Sequence, residues 1–280
     1  MDVTVIISVY KDVEALDLIL KSLNTQTVSN FDILVSEDCQ SDEMKNYLST
    51  YKSPIKLTHI NQPDDGWKKN IALNNAIRNS SGSYLIFLDG DILPYANFVE
   101  NHMKLAEEKR FLSGRRVELG PFFSSLIRKK KIPFRVIENF YLFLLPFLAL
   151  DKARHMEEGI YLKKDSYLEK KINKKKKKKM MLVGCNFSCF KKDLELINGF
   201  DEDYISPSVG EDVDLAWRFN HFGITYKSIR YIANTLHLYH TRNWGDAAKT
   251  NDLMMQSKIK KRQFICLNGL KKINETKEEI

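Results

Sequence analysis

With 280 residues, 43% hydrophobic and 29% charged, the chain can bury one large core or two linked ones and is not disordered overall. Its net charge of +8 is local: Lys170, Lys171 and Lys174 to Lys179 put eight lysines in one window, and the remainder is near neutral. The cysteines, Cys39, Cys185, Cys189 and Cys266, show neither a zinc-finger spacing nor a dense disulfide framework, which predicts reduced thiols and a cytosolic setting. The N-terminal residues lack the basic stretch and apolar segment of a secretory signal. The longest apolar run, Phe140 to Leu150, is shorter than the roughly 20 residues a spanning helix needs and contains Pro146, so no transmembrane helix is expected.

In chain order, Thr4 to Val9 reads as a buried strand. An amphipathic helix follows, with Leu16, Ile19, Leu20 and Leu23 at helical spacing and Asp12 as its N-cap. A second strand, Phe31 to Ser36, ends in Glu37-Asp38 before a polar turn through Ser41 and Asp42. A third, Lys56 to Ile60, leads into a loop rich in turn formers, Asn61 to Gly66. Trp67 to Asn79 predicts a helix, and the apolar run Tyr84 to Leu88 a strand buried on both faces. This alternation is that of a mostly parallel sheet flanked by helices, in which ligands sit at the carboxyl ends of strands. Asp12, Asp38, and Asp89 with Asp91 are therefore expected to converge.

Asp89-Gly90-Asp91 carries chemistry of its own. Two carboxylates at i and i+2 in extended backbone point the same way, and the glycine between them lets the chain approach a ligand closely. Mg²⁺ or Mn²⁺ takes one or two protein carboxylates and completes its shell with phosphate oxygens and water, so the pair suits a nucleotide diphosphate. Solvated turn carboxylates are the plainer reading of an isolated Asp-x-Asp.

Ser8-Val9-Tyr10, Ser36-Glu37-Asp38, the Gly66 to Asn75 segment and Leu88 to Asp91 resemble the nucleotide-binding half of family 2 glycosyltransferases of the GT-A fold. Asn198 to Glu202 and Gly210 to Arg218 are similar to a C-terminal segment of the β-1,4-galactosyltransferases and bacterial chondroitin polymerases. The resemblance covers about half the chain and implies a UDP-sugar donor. Tyr10 then lies against the uracil and Asp38 reads its imide edge, Asp89 touches the ribose or a metal-bound water, and Asp91 binds the metal. Lys69 and Asn74 fall where relatives place donor-contacting groups, although Leu73-Asn74 departs from the usual Arg-Asn pair.

Between Gly120 and Met180 the family pattern gives out. Phe122 to Ile127, Arg128 to Lys131, Phe140 to Leu150 and the lysine run alternate apolar and cationic blocks, as in an interfacial segment that binds anionic lipid. A solvated loop for the lysines and a core helix for Phe140 to Leu150 are the alternatives, and no aromatic-interleaved module supports nucleic-acid binding. Met181 to Phe190 predicts a further strand. Leu215, Phe219, Phe222 and Gly223 then frame a helix whose N-terminus carries Glu211 and Asp212, where the helix dipole favours ionised carboxylates. An ionised carboxylate there can take a proton from an acceptor hydroxyl. By resemblance Asp212 is the base, with Glu211 beside it. His237 and His240 form a candidate metal pair, with His240 favoured. Arg242 and Trp244 lie in what resembles a loop closing over the donor diphosphate. Met254 to Lys272 reads as a basic amphipathic helix.

The expectation is an α/β protein: a GT-A, Rossmann-like, mostly parallel mixed sheet flanked by helices, with a basic and apolar insert and a C-terminal helix. Residues 1–92 form a nucleotide-sugar-binding half, 93–245 an acceptor-binding and catalytic half with the insert at about 120–180, and 246–280 the C-terminal helix. The expected function is inverting, Mn²⁺- or Mg²⁺-dependent transfer of a hexose or N-acetylhexosamine to a saccharide or lipid-linked saccharide in bacterial surface-polysaccharide synthesis. It is placed in the cytoplasm, peripheral on the plasma membrane. A nucleotidyltransferase is the alternative, but Tyr10 to Glu14 is not its Gly- and Arg-rich loop; a polyanion-binding protein driven by the lysine run is the other.

Overall fold

A computed structural model describes residues 1–175, 182–207, 210–241 and 247–274 of the chain. Its elements begin β1 (Val3–Val9), α1 (Val13–Leu23), β2 (Asp32–Glu37), α2 (Asp42–Thr50), β3 (Leu57–Asn61), α3 (Lys69–Asn79), β4 (Tyr84–Asp89), β5 (Ile92–Pro94) and α4 (Phe98–Leu105). They continue with β6 (Arg110–Ser113), β7 (Val117–Glu118), α5 (Pro121–Arg128), α6 (Phe134–Asn139), α7 (Tyr141–Leu150) and α8 (Tyr167–Lys175). The last are β8 (Asn186–Phe190), α9 (Lys191–Leu196), α10 (Asp212–His221), β9 (Thr225–Ser228), β10 (Thr235–His237) and α11 (Ala247–Lys260).

Seven strands form one sheet in the order β3-β2-β1-β4-β8-β6-β9. Strands β1 to β4 pair in parallel, β8 runs antiparallel to both its neighbours, and β6 pairs with β9 in parallel. The sheet is thus the mostly parallel, mixed one expected, and it is drawn from both halves of the chain. Side-chain alternation divides the core in two. Val3, Val5, Ile7 and Val9 of β1 pack with Leu16, Ile19 and Leu20 of α1 on one face. On the other, Ile6, Leu85 and Phe87 pack with Leu73, Ala76 and Ile77 of α3 and Leu215 and Phe219 of α10. Phe87 of β4 stacks on Phe187 of β8, ring centroids 4.4 Å apart, which fixes the antiparallel strand against the parallel ones. Burial of such strands on both faces is why they read as near-continuous apolar runs.

Three expectations are corrected. The polar turn after Asp38 is the start of α2, capped by the Ser41 hydroxyl, which accepts from Met44 N–H at 3.2 Å. Only Met44 and Leu48 of this helix are buried, too sparse a stripe to register as periodicity. The C-terminal helix spans Ala247–Lys260, not Met254 to Lys272. The chain beyond it leaves the helix because Asn198 captures it: the Asn198 amide donates to Cys266 O and Lys271 O at 2.8 Å each, and its carbonyl oxygen accepts from Lys271 N–H at 2.8 Å. The strand expected over Met181 to Phe190 is confined to Asn186–Phe190, and Met181 lies outside the described residues. Lys174 and Lys175 end α8; Lys176 to Lys179 lie outside the described residues. Among the described residues no helix is long and apolar enough to cross a membrane.

A small second sheet, β5-β10-β7, sits beside the large one. Because β10 pairs antiparallel with β5, His237 is in register with Ile92, the residue after Asp91. This pairing ties the late histidines to the acidic end of β4.

Candidate active site

The carboxyl ends of β1, β2 and β4 open into a cleft of about 950 Å³. Among the described candidates, Tyr10, Asp12, Asp38, Lys69, Asp89, Asp91, Glu211, Asp212, His237 and His240 all line it. Gly90 allows β4 to turn here, since a Cβ on it would lie 2.8 Å from Ser8 O. The close approach of β4 to β1 therefore requires glycine.

Asp91 sits between two imidazoles. Its Oδ2 is 3.1 Å from His237 Nε2 and 3.2 Å from His240 Nε2, and the three groups offer ligand atoms all within 4.8 Å of one another. Both histidines converge on Asp91. Burial works against the charge of Asp91, but the two histidines outweigh it and hold the carboxyl far below its usual range. His240 Nδ1 is 3.1 Å from Thr241 O, a group that only accepts, so this nitrogen carries the hydrogen. In a neutral ring Nε2 then presents a lone pair to a carboxylate oxygen. Two acceptors at that separation need a shared cation, either a second proton or a metal ion. One carboxylate oxygen and two imidazole nitrogens fit a divalent ion that keeps open positions for phosphate oxygens. The Thr241 carbonyl would orient the His240 ring in the manner usual behind metal ligands.

A second cluster lies alongside. Lys69 Nζ is 2.6 Å from Asp89 Oδ1 and 2.7 Å from Glu211 Oε1, joining the end of β4 to the start of α10. Burial opposes the charge on Lys69, yet the two carboxylates hold it firmly protonated, its pKa well above the ordinary lysine value. Glu211 is pushed up to about 7, first by burial, with Lys69 pulling the other way and Asp89 and Asp212 adding repulsion. Gly184 leaves room for this glutamate: a Cβ there would come within 2.5 Å of Glu211 Oε1. Asp212 begins α10 and accepts from Gly184 N–H at 3.4 Å. Burial raises its pKa as well, and the Gly184 and Val213 amides limit the rise.

On the nucleoside side, Tyr10 is 53% exposed, with its hydroxyl donating to Asp64 at 3.4 Å and Lys11 Nζ over one face of the ring, 4.8 Å from its centroid. Asp38 is buried and accepts from Gln62 Nε2 at 2.7 Å and Lys68 N–H at 3.0 Å. Burial raises its pKa, and those two donors work against the rise. Asp12 caps α1 through Ala15 N–H at 2.9 Å and receives both Arg128 nitrogens at 2.9 and 2.8 Å.

Asn74 does not line the cleft. Its amide nitrogen donates to Phe200 O at 2.8 Å and Glu202 Oε1 at 2.9 Å, and its oxygen accepts from Phe200 N–H at 2.9 Å. All of its polar atoms hold the 200–202 turn, a structural duty that corrects the donor-contacting role read from the resemblance. Arg242 and Trp244 lie outside the described residues. Two cleft cations were not foreseen. Arg116 places Nη1 2.8 Å from Cys185 Sγ, and Arg128 was read only as part of a basic block. Neither follows a motif.

The profile described as Glycosyl transferase family 2 matches residues 4–196, and that described as N-terminal domain of galactosyltransferase matches 168–241. An uncharacterized glycosyltransferase of Rickettsia felis is 32% identical over 110 residues, 39% of this chain and 18% of that protein. Chondroitin synthase of Escherichia coli is 22% identical over 103 residues, 36% of this chain and 15% of that protein. The matched segments thus span only about a fifth of the length of these curated relatives. Among solved structures, the mannosyltransferase PcManGT of Pyrobaculum calidifontis, in complex with GDP-Man and Mn²⁺, superposes with a TM-score of 0.55 at 18% identity, covering 86% of this chain and 58% of its own. GalNAc-T7 with UDP, GalNAc and Mn²⁺ gives 0.60 at 11% identity, covering 92% and 48%. These two likenesses speak to the fold, which is that of the GT-A glycosyltransferases. The first profile runs through every strand of the parallel layer from β1 to β4 and takes in Asp89 and Asp91, and on that match the chain belongs to glycosyl transferase family 2.

Proposed function

We propose that the chain is an inverting, divalent-metal-dependent glycosyltransferase that moves a hexose or N-acetylhexosamine from a UDP-sugar to a saccharide or lipid-linked saccharide, in the setting of surface-polysaccharide assembly. The observation that carries the reading is the meeting, in one cleft, of the Asp91, His237 and His240 triad with the Lys69, Asp89, Glu211 and Asp212 cluster. Two solved neighbours that hold nucleotide or nucleotide sugar with Mn²⁺ support it.

Asp91, His237 and His240 would hold the ion, and two imidazoles favour Mn²⁺ over Mg²⁺. When bound, it supplies positive charge beside the leaving diphosphate. The protein's own residues do the rest. The face of Tyr10 opposite Lys11 stacks on the base, and each Asp38 oxygen retains an acceptor site for the base's N–H. Lys69 adds a fixed positive charge between Asp89 and Glu211, which lessens the repulsion between the donor and these carboxylates. Asp212 takes the proton from the acceptor hydroxyl as that oxygen attacks the anomeric carbon, and the UDP oxygen leaves from the opposite face, which inverts the configuration. Lys69 holds Oε1 of Glu211, and this carboxylate is placed beside the base rather than as the base. A thermal-shift series of UDP-sugars with Mn²⁺ tests the reading: stabilisation by one of them that EDTA abolishes is expected, and equal stabilisation with and without EDTA would overturn the metal half.

A further inference from the structure

We propose that α7 and its flanks form a surface that seats the protein on an anionic lipid bilayer with its cleft facing membrane-borne acceptor. The acceptor half of this statement rests on the function proposed above. Helix α7, YLFLLPFLAL, has no charged residue. Its inner face buries Tyr141 and Leu148. Its outer face leaves Leu142 65%, Phe143 72%, Phe147 51% and Leu150 81% exposed. A helix apolar on both faces belongs in a protein interior or in lipid, and here one face has no protein over it among the described residues. Ten residues make a helix of about 15 Å, too short to span a bilayer and suited to lying in its interface. The patch continues at both ends, to Phe140, 59% exposed, and to Phe122, 61% exposed, whose N–H donates to Asp151 just past the helix.

Charge decides the occupant. Between residues 121 and 152 there are six cationic side chains and two acidic ones. Both acids are engaged internally: Glu138 accepts from Ala96 N–H and pairs with Arg135, and Asp151 accepts from Phe122 and Phe123 N–H. Lys129, Lys130, Lys131 and Lys152 are exposed, Lys130 also pairing with Asp17 at 3.1 Å. A second copy meeting this face would bring like charges together, whereas anionic head groups complement them. The same segment reaches the cleft. Helix α5 bonds to the end of α7 through Asp151, holds Tyr239 N–H on Ser124 Oγ at 2.8 Å, and ends in Arg128 on Asp12. Docking α7 therefore brings the cleft close to the lipid surface, where the saccharide of a lipid-linked acceptor lies.

The test is co-sedimentation of the full chain with phosphatidylcholine vesicles with and without phosphatidylglycerol. Wild type should bind the phosphatidylglycerol vesicles and lose them at high salt. Phe143→Ser with Phe147→Ser should lower the partition more than about tenfold, since two rings leave the apolar phase. Lys129→Glu, Lys130→Glu and Lys131→Glu together should abolish the preference for phosphatidylglycerol. UDP binding by both variants should match wild type, as none of these residues contacts the cluster at the cleft. Absent wild-type binding, or a Phe variant that binds as wild type does, would overturn the proposal. So would a sedimentation-velocity dimer lost in the Phe variant, which assigns the face to a second copy. Wild type that binds vesicles yet fails to bind UDP would instead sink the donor reading and leave the surface standing.

Discussion

Replacing Asp212 by Asn isolates the proton-transfer step. Asn keeps the size of the side chain and an oxygen that can still accept from Gly184 N–H, so α10 should start where it does in the wild type. What it cannot do is accept a proton. Loss of a positioned base costs roughly 10²–10⁴-fold in rate, or about 3–5 kcal/mol of transition-state stabilisation. The Lys69, Asp89 and Glu211 contacts and the Asp91, His237 and His240 triad do not involve this carboxylate, so UDP-sugar affinity should change little. The assay is initial-rate transfer over pH, paired with UDP binding on the same protein. In the wild type the acid limb of kcat/KM should lie above the ordinary carboxylate range, because burial raises the Asp212 pKa. In the variant that limb should vanish along with the activity. Transfer above about a tenth of wild type, well outside the expected loss, would refute the assignment, and Glu211 would become the base to examine.

Three further outcomes follow from the geometry. Asn74→Ala should lower stability by about 2–4 kcal/mol, because three hydrogen bonds to the 200–202 turn are lost and buried partners are stranded, while UDP affinity is unchanged; denaturant melts and UDP titrations check the two halves. Glu211 binds its proton more tightly in the fold than in the unfolded chain, with a pKa near 7 against 4.5, so stability is lost as pH rises between those values; Glu211→Gln should flatten that slope in melts run from about pH 4 to 8. Gly184→Ala should lower kcat with donor affinity retained, since a Cβ at that position displaces a glutamate that Lys69 holds in place, and a variant of wild-type kcat would contradict the account.

The sheet was legible because apolar runs such as Tyr84 to Leu88 are what burial on both faces produces, and their acidic ends fall where the sheet opens. Helix α2 was hidden because two buried side chains are too few to show a period. Asn74 was read as a donor contact because it falls where relatives place one. Its true partners, Phe200 and Glu202, lie 126 and 128 residues away, and that separation is invisible to local pattern. The same holds for His237 and Asp91, 146 residues apart, which only the pairing of β10 with β5 brings together. Arg128 entered the cleft from the stretch where the family pattern fails, and Arg116 from just before it. Composition marked Arg128 as basic but not as facing Asp12, since charge alone carries no direction.

The account turns on whether Asp91, His237 and His240 act as one metal site serving the donor. The most direct measurement is calorimetric titration of Mn²⁺ and then UDP into wild type, Asp91→Asn and His240→Ala. The account predicts that wild type binds Mn²⁺ and that UDP binds tightly only afterwards, with both variants losing Mn²⁺ and UDP affinity together. UDP binding of equal strength in wild type and both variants, with or without Mn²⁺, would contradict it.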